Sequence, residues 1–196
     1  MIAYLQGKLT YKNPAFVYVD CNGVGYHVNI SLNTYSKLEN LDDVKIMTYM
    51  HTNDDGPTLY GFMDEAERAI FVLLISVSGV GPNTARVILS YMTTDEAKSA
   101  IVHENVVALN KVKGIGPKTA KRIILDLKDK ILKISGDQPL IMSESNNTVR
   151  DEALSALVAL GFPKNSVEKQ LNSILSTNND LDQVEDIIKL VLKQIR

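Results

Sequence analysis

The sequence predicts a multidomain protein, β in its first third and all-α thereafter. Three observations carry that reading. Apolar residues repeat with a period of two up to about residue 63, the period then lengthens to that of a helix, and a Gly-x-Gly-Pro octet occurs twice in the helical part. Of the 196 residues, 45% are hydrophobic and 22% charged, which excludes a disordered or collagen-like chain. The single cysteine, Cys21, cannot form an intrachain disulfide, and the opening MIAYLQGKLT lacks the basic start and apolar centre of a signal peptide. A cytoplasmic location is therefore expected. The longest apolar run, residues 69–77, is interrupted at Ser76 and is far shorter than the ~20 residues needed to cross a bilayer, so no membrane span is expected.

The β part is expected to be a small closed barrel over residues 1–63. Val24, Tyr26, Val28 and Ile30 alternate with small or polar residues, as do Val44, Ile46, Thr48 and Met50, and Phe16, Val17, Tyr18 and Val19 form a further β-rich run. Lys12-Asn13-Pro14, Asn22-Gly23 and Asn53-Asp54-Asp55-Gly56-Pro57 supply the turns. Roughly five or six strands in so short a segment suit closure, which leaves no exposed edge.

Residues 64–134 read as helical. Asp64 is the expected N-cap of the first helix with Glu67 as its capping-box partner, and Ala66, Ala69, Ile70, Leu73 and Leu74 share one face. Thr93 and Glu96 form a second capping box. Residues 135–148, with Gly, Pro, Ser and Asn and little periodicity, read as a linker. A three-helix module is expected over residues 149–196: residues 149–160 stopped by Gly161, residues 166–176 with Asn165 and Glu168 as cap and partner, and residues 181–195. Val184, Ile187, Ile188, Val191, Leu192 and Ile195 form the apolar stripe of the last helix.

The internal repeat points to chemistry. Gly79-Val80-Gly81-Pro82-Asn83-Thr84-Ala85-Arg86 and Gly114-Ile115-Gly116-Pro117-Lys118-Thr119-Ala120-Lys121 lie 35 residues apart and share Gly, Gly, Pro, Thr and Ala in the same places. In each octet an apolar helical segment runs into the glycines and a new helix begins with Pro in its first turn. Glycines let a ligand approach the backbone, and the N–H groups opening the second helix suit a phosphate oxygen. The net charge of −2 hides a segregation of sign. Lys111, Lys113, Lys118, Lys121, Arg122, Lys128, Lys130 and Lys133 are opposed only by Asp126 and Asp129, between two acidic flanks. A Rossmann phosphate loop would need glycine at Thr84 or Thr119, and a P-loop would need it at Pro117, so no ATPase activity is expected.

Tandem octets of this kind are the helix-hairpin-helix signature of proteins that hold DNA by its backbone without reading sequence. The chain also carries a barrel beginning MIAYLQG, strands with Gly23-Val24-Gly25-Tyr26 and Leu59-Tyr60-Gly61-Phe62, the linker and the terminal helical module. In this order, and over essentially its whole length, it resembles the RuvA family, the Holliday-junction-binding subunits of bacterial RuvAB branch-migration complexes. The resemblance implies an OB-fold-type barrel, a tandem helix-hairpin-helix domain and a ubiquitin-associated-like (UBA-like) three-helix domain. It further implies a homotetramer or octamer on a four-way DNA junction, a RuvB-type hexameric ATPase as motor, a RuvC-type junction resolvase as a further partner, and a role in recombination and repair. No cofactor and no catalytic residue of its own are implied.

Residue by residue, the resemblance places phosphate contacts at Gly79, Gly81, Asn83, Gly114, Gly116, Lys118 and Arg122. Asn83 stands where the family typically has Lys, which implies a weaker ionic contact at the first hairpin. Asp54 and Asp55 fall at the family's acidic pin, and Asn53 where a basic residue often precedes it. Carboxylates gathered there from four subunits would repel phosphates, each close pair at ~5 Å and effective ε ~20 being worth about 3 kcal/mol before screening. Leu157, Leu160 and Phe162, in Ala156-Leu157-Val158-Ala159-Leu160-Gly161-Phe162, are the expected motor-binding residues.

The alternative of a different class is a helix-hairpin-helix DNA glycosylase or lyase, with Lys118 as amine nucleophile and Asp126 or Asp129 as carboxylate partner. It lacks a large pocket-forming domain to hold a flipped base. His27, His51 and His103 have no metal-ligand spacing, and Cys21 alone anchors no zinc or iron–sulfur site, so no metal is expected.

Overall fold

The computed structural model describes residues 1–54, 56–134, 146–177 and 183–194. Two compact units divide the chain, Met1–Gln138 and Pro139–Arg196. In the first, strands β1 (Tyr4–Lys12), β2 (Phe16–Cys21), β3 (Val24–Ile30), β4 (Asp43–Asn53) and β5 (Gly56–Phe62) close a barrel in the order β1-β2-β3-β5-β4. Only the β3–β5 pairing is parallel, which is the OB-type arrangement.

Period-two alternation places Val17 and Val19, Val28 and Ile30, and Val44, Ile46 and Thr48 inside. Val24, on the same stripe, is instead 54% exposed, since it pairs with Cys21 at the Asn22-Gly23 turn, where the hairpin ends. At Gly61 a Cβ would lie 2.5 Å from Val28 Cγ1 and 2.6 Å from Ile46 Cδ1, so the barrel closes only around a residue without a side chain. Between β3 and β4 the chain forms helix α1 (Leu32–Lys37), which the strand reading of this region did not contain. One and a half turns are too short to show a helical period. Ser31 caps it, its Oγ accepting from the Thr34 amide at 3.0 Å.

Helices α2 (Glu65–Ile75), α3 (Pro82–Tyr91), α4 (Thr94–Val102), α5 (Val106–Asn110) and α6 (Pro117–Ile134) follow. Their core includes Phe71, Leu74, Ile88, Leu109, Ile123 and Leu127, and it extends into the barrel wall. Tyr60 and Phe62 of β5 pack there, their rings 5.2 and 4.9 Å from that of Phe71. Barrel and helices thus share apolar burial within one unit.

The two expected capping boxes differ. Thr93 and Glu96 reciprocate fully. Asp64 accepts from the Glu67 amide at 2.8 Å, but Glu67 returns nothing to Asp64. Its side chain is buried and takes hydrogen bonds from Ser31 Oγ at 2.6 Å and Thr34 Oγ1 at 2.9 Å. Once buried, the carboxyl group takes its hydrogen bonds from the two hydroxyls that α1 brings to it. Burial raises the Glu67 pKa above its ordinary value, against the lowering effect of those hydroxyls. Beside it Lys37 Nζ meets Asp64 Oδ2 at 2.7 Å, and that hydrogen bond raises the lysine pKa.

The second unit packs α7 (Asn146–Ala159), α8 (Lys164–Thr177) and α9 (Val184–Gln194) around Ala153, Leu157, Val167, Leu171, Ile187 and Val191. Helix α7 starts three residues before the expected Val149. Its end is set by Gly161 at φ 96, with Phe162 N–H donating to Leu157 O at 3.2 Å and Gly161 N–H to Val158 O at 3.0 Å, a Schellman closure. Asn165 is not the cap of α8 but lies inside it. The first turn forms when Ser166 and Val167 donate to the Pro163 carbonyl at 3.0 and 3.1 Å. Most of the expected linker, residues 135–145, lies outside the described residues, as do residues 181–182 and 195 of the expected last helix. Among the described residues, no helix is long and apolar enough to cross a membrane.

Candidate nucleic-acid interface

The sequence repeat is also a structural repeat. Helix α2 turns through residues 76–81 into α3, and α5 turns through residues 111–116 into α6. In the first elbow Val77 N–H donates to Leu74 O at 3.1 Å, Val80 N–H to Val77 O at 3.0 Å and Ala85 N–H to Gly81 O at 3.0 Å. In the second, Val112 donates to Leu109 at 3.1 Å, Ile115 to Val112 at 3.0 Å and Ala120 to Gly116 at 2.9 Å. Each bond reappears 35 residues on. Burial repeats too: Val77 and Val112, Val80 and Ile115, and Ala85 and Ala120 are all buried and hold the elbows from beneath.

The glycines face out, and the two in each elbow differ. Gly79 and Gly114 have φ 92 and 91, a conformation other residues adopt only with strain. Gly81 is the N-cap of α3 at φ −85 and ψ 170, which any residue can adopt, and a Cβ there or at Gly116 would meet nothing within 4 Å. Neither backbone strain nor packing within the chain requires glycine at Gly81 or Gly116. Both positions lie open to a group approaching from outside. No side chain caps α3, so the amides of its first turn are left for such a group.

The cations are distributed unequally. Lys118, Lys121 and Arg122 are exposed on the first turns of α6, with Lys111 and Lys113 exposed on the elbow before it. Arg122 lies 3.8 Å from Asp126, an open pair one turn apart, whereas Lys118 has no ion pair among the described residues. Asn83, the counterpart of Lys118, is exposed. Arg86, the counterpart of Lys121, is turned inward. Its Nη1 donates to Ala15 O at 2.9 Å and to Asn29 Oδ1 at 3.2 Å on the barrel. The Arg/Lys exchange is conservative on paper and is not so in space. Sequence reasoning missed Arg86, because the octet shows its charge but not the barrel beside it.

The expected pin is the connection of β4 and β5, where Asn53 pairs with Gly56 across a two-residue turn. Asp54 is exposed at its tip. Asp55 lies outside the described residues. Of the expected motor-binding residues, Leu157 is corrected: it is fully buried in the core of the second unit, because α7 turns it toward α8 and α9. Phe162 is half-buried against the same core, and Leu160 is 63% exposed beside the exposed Val158. The lyase constellation is not assembled: among the described residues no hydrogen bond or ion pair joins Lys118 to Asp126 or Asp129, and Asp126 faces Arg122. Among the described residues no group of three His, Cys, Asp or Glu side chains could hold a metal ion.

A closed five-stranded barrel, a tandem helix-hairpin-helix domain and a three-helix terminal unit define the class of protein. Comparison with known proteins narrows it. Residues 1–61 match the family described as RuvA N terminal domain, residues 71–129 the SAM-like helix-hairpin-helix tandem, and residues 148–196 the RuvA C-terminal domain. A Cytophaga hutchinsonii protein named Holliday junction branch migration complex subunit RuvA is 49% identical over 197 residues, covering 98% of this chain and 99% of its own. Proteins of the same name from Christiangramia forsetii and Flavobacterium psychrophilum are 48% and 49% identical, with both chains covered in full. The chain belongs to the RuvA family.

Proposed function

We propose that this protein binds four-way DNA junctions through sugar-phosphate contacts, independently of base sequence, and serves as the non-catalytic subunit of a branch-migration complex whose ATPase is a RuvB-type hexamer. Four copies surround the junction in this reading, as a tetramer or as two tetramers face to face, and a RuvC-type resolvase shares the same DNA. One observation carries it: two elbows of the same hydrogen bonding and burial expose Gly81 and Gly116 where neither backbone strain nor packing requires glycine. Amides and glycines give a backbone-only grip that positions the duplex arms without specifying bases. Lys118 and Arg122 add ionic contact at the second elbow, and Asn83 a neutral donor at the first. Asp54 and Asp55 stand as the acidic pin that disfavours continuous duplex, and exposed Leu160 with part of Phe162 offers the motor an apolar contact.

A gel-shift comparison of four-way, three-way and linear DNA of equal length tests the reading. Tight binding of the four-way form, with neither nicking nor base release, is expected. Equal binding of all three forms would overturn it.

A further inference from the structure

The two elbows are joined differently to the barrel that carries Asp54. Four successive residues at the start of α1 bond to the helices of the first elbow. Ser31 Oγ and Thr34 Oγ1 donate to Glu67 on α2, Leu32 N–H donates to Ser90 Oγ at 3.1 Å, and Asn33 Nδ2 donates to Leu89 O at 2.6 Å and Met92 O at 3.0 Å at the end of α3. Two arginines attach these helices to the barrel itself: Arg68 of α2, whose Nη1 donates to Ala3 O at 3.2 Å and Thr48 O at 3.4 Å, and Arg86 of α3, which reaches toward β5. The Asn29 carboxamide that accepts from Arg86 also donates, through Nδ2, to Leu59 O at 3.3 Å. Leu59 lies on β5, the strand that leaves the Asp54 turn. Among the described residues no hydrogen bond or ion pair joins residues 106–134 to the barrel.

We infer that Arg86 is a positioning residue that fixes the first elbow to the strand carrying the pin, so that this elbow sets which DNA shape fits, while the second elbow, with Lys118 and Arg122, supplies most of the ionic attraction. The reasoning rests on the junction-binding reading above. A phosphate contact contributes to every DNA form alike and follows salt. A fixed span between a grip and a repelling pin distinguishes branched from linear DNA, because only one shape satisfies both together. Arg86 Nη1 donates to both Ala15 and Asn29, which holds the guanidinium against the barrel, so its main contribution is to the span.

Dissociation constants of the full-length protein for four-way and linear DNA, across a salt series, decide the matter for Arg86→Ala and Asn29→Ala. Asn29→Ala removes the link to β5 without removing a charge. In both variants the preference for four-way over linear DNA should fall by about three- to tenfold. The slope of log K against log salt should stay within about half an ion of the parent value. Unchanged preference in Asn29→Ala, which leaves the arginine and its contact with Ala15 in place, would overturn the inference. So would an Arg86→Ala variant that loses both DNA forms equally with a slope lowered by about one ion, since that marks a phosphate contact. If the parent itself shows no preference, the junction reading fails first, a result distinct from either of these.

Discussion

Gly79 and Gly81 are two positions apart and are glycine for different reasons. Gly79 has a positive φ, so Gly79→Ala should lower stability by about 1–3 kcal/mol, read as a lower denaturation midpoint. Gly81 has an extended backbone and open space at its Cβ position, so Gly81→Ala should cost no more than about 1 kcal/mol, the value of a poorer N-cap, yet weaken junction binding. Binding that survives Gly81→Ala unchanged would remove the first elbow from the DNA contact. Lys118, exposed and without an ion pair among the described residues, is the residue on which the salt response should depend. Lys118→Glu is expected to weaken binding and to lower the salt slope by about one ion or more per subunit, and an unchanged slope would exclude it as a phosphate ligand.

Between elements, buried polar contacts decide what local sequence does not. Asp64 and Glu67 have capping-box spacing, but the box is half made because α1 brings Ser31 and Thr34 to Glu67. Burial holds the Glu67 carboxyl above its ordinary value of 4.5, so the folded protein binds that proton more tightly than the unfolded chain does. Stability from this group is therefore greatest in acid and falls as pH rises from 4.5 through the raised value. Asp64 runs the opposite way. Burial opposes its ionisation, but hydrogen bonds from Lys37 and the Glu67 amide leave its pKa below 3.8, and its contribution is lost as pH falls through that depressed value. Glu67→Gln keeps an acceptor for the two hydroxyls and removes the titration, so its denaturant midpoint should decline less than the parent's between about pH 4.5 and neutrality. An identical decline would assign the effect to another group.

At the scale of the molecule, the separate core of residues 139–196 suggests a division of labour. Removing residues 149–196 should leave four-way junction binding within about threefold of the parent, about 0.7 kcal/mol, while abolishing stimulation of a RuvB-type ATPase. Loss of junction binding would show that the terminal unit also holds DNA. Much of this plan was legible in the sequence, because period two, period 3.6 and a 35-residue repeat are properties of neighbours along the chain. Barrel, elbows and terminal helices follow from them, as do the exposed glycines and Lys118. Helix α1 was not legible, being shorter than a period can show, and neither was the burial of Leu157, which shares an apolar pattern with the exposed Leu160. The sequence by itself determined the order of barrel and helices, the repeated elbows, and the starts of α2 at Asp64 and α4 at Thr93. Only the tertiary structure decided that Arg86 turns to the barrel while its counterpart Lys121 stays in solvent, because a long cation takes whichever acceptors the fold brings within about 3 Å, and those on Ala15 and Asn29 come from a turn and a strand more than fifty residues away.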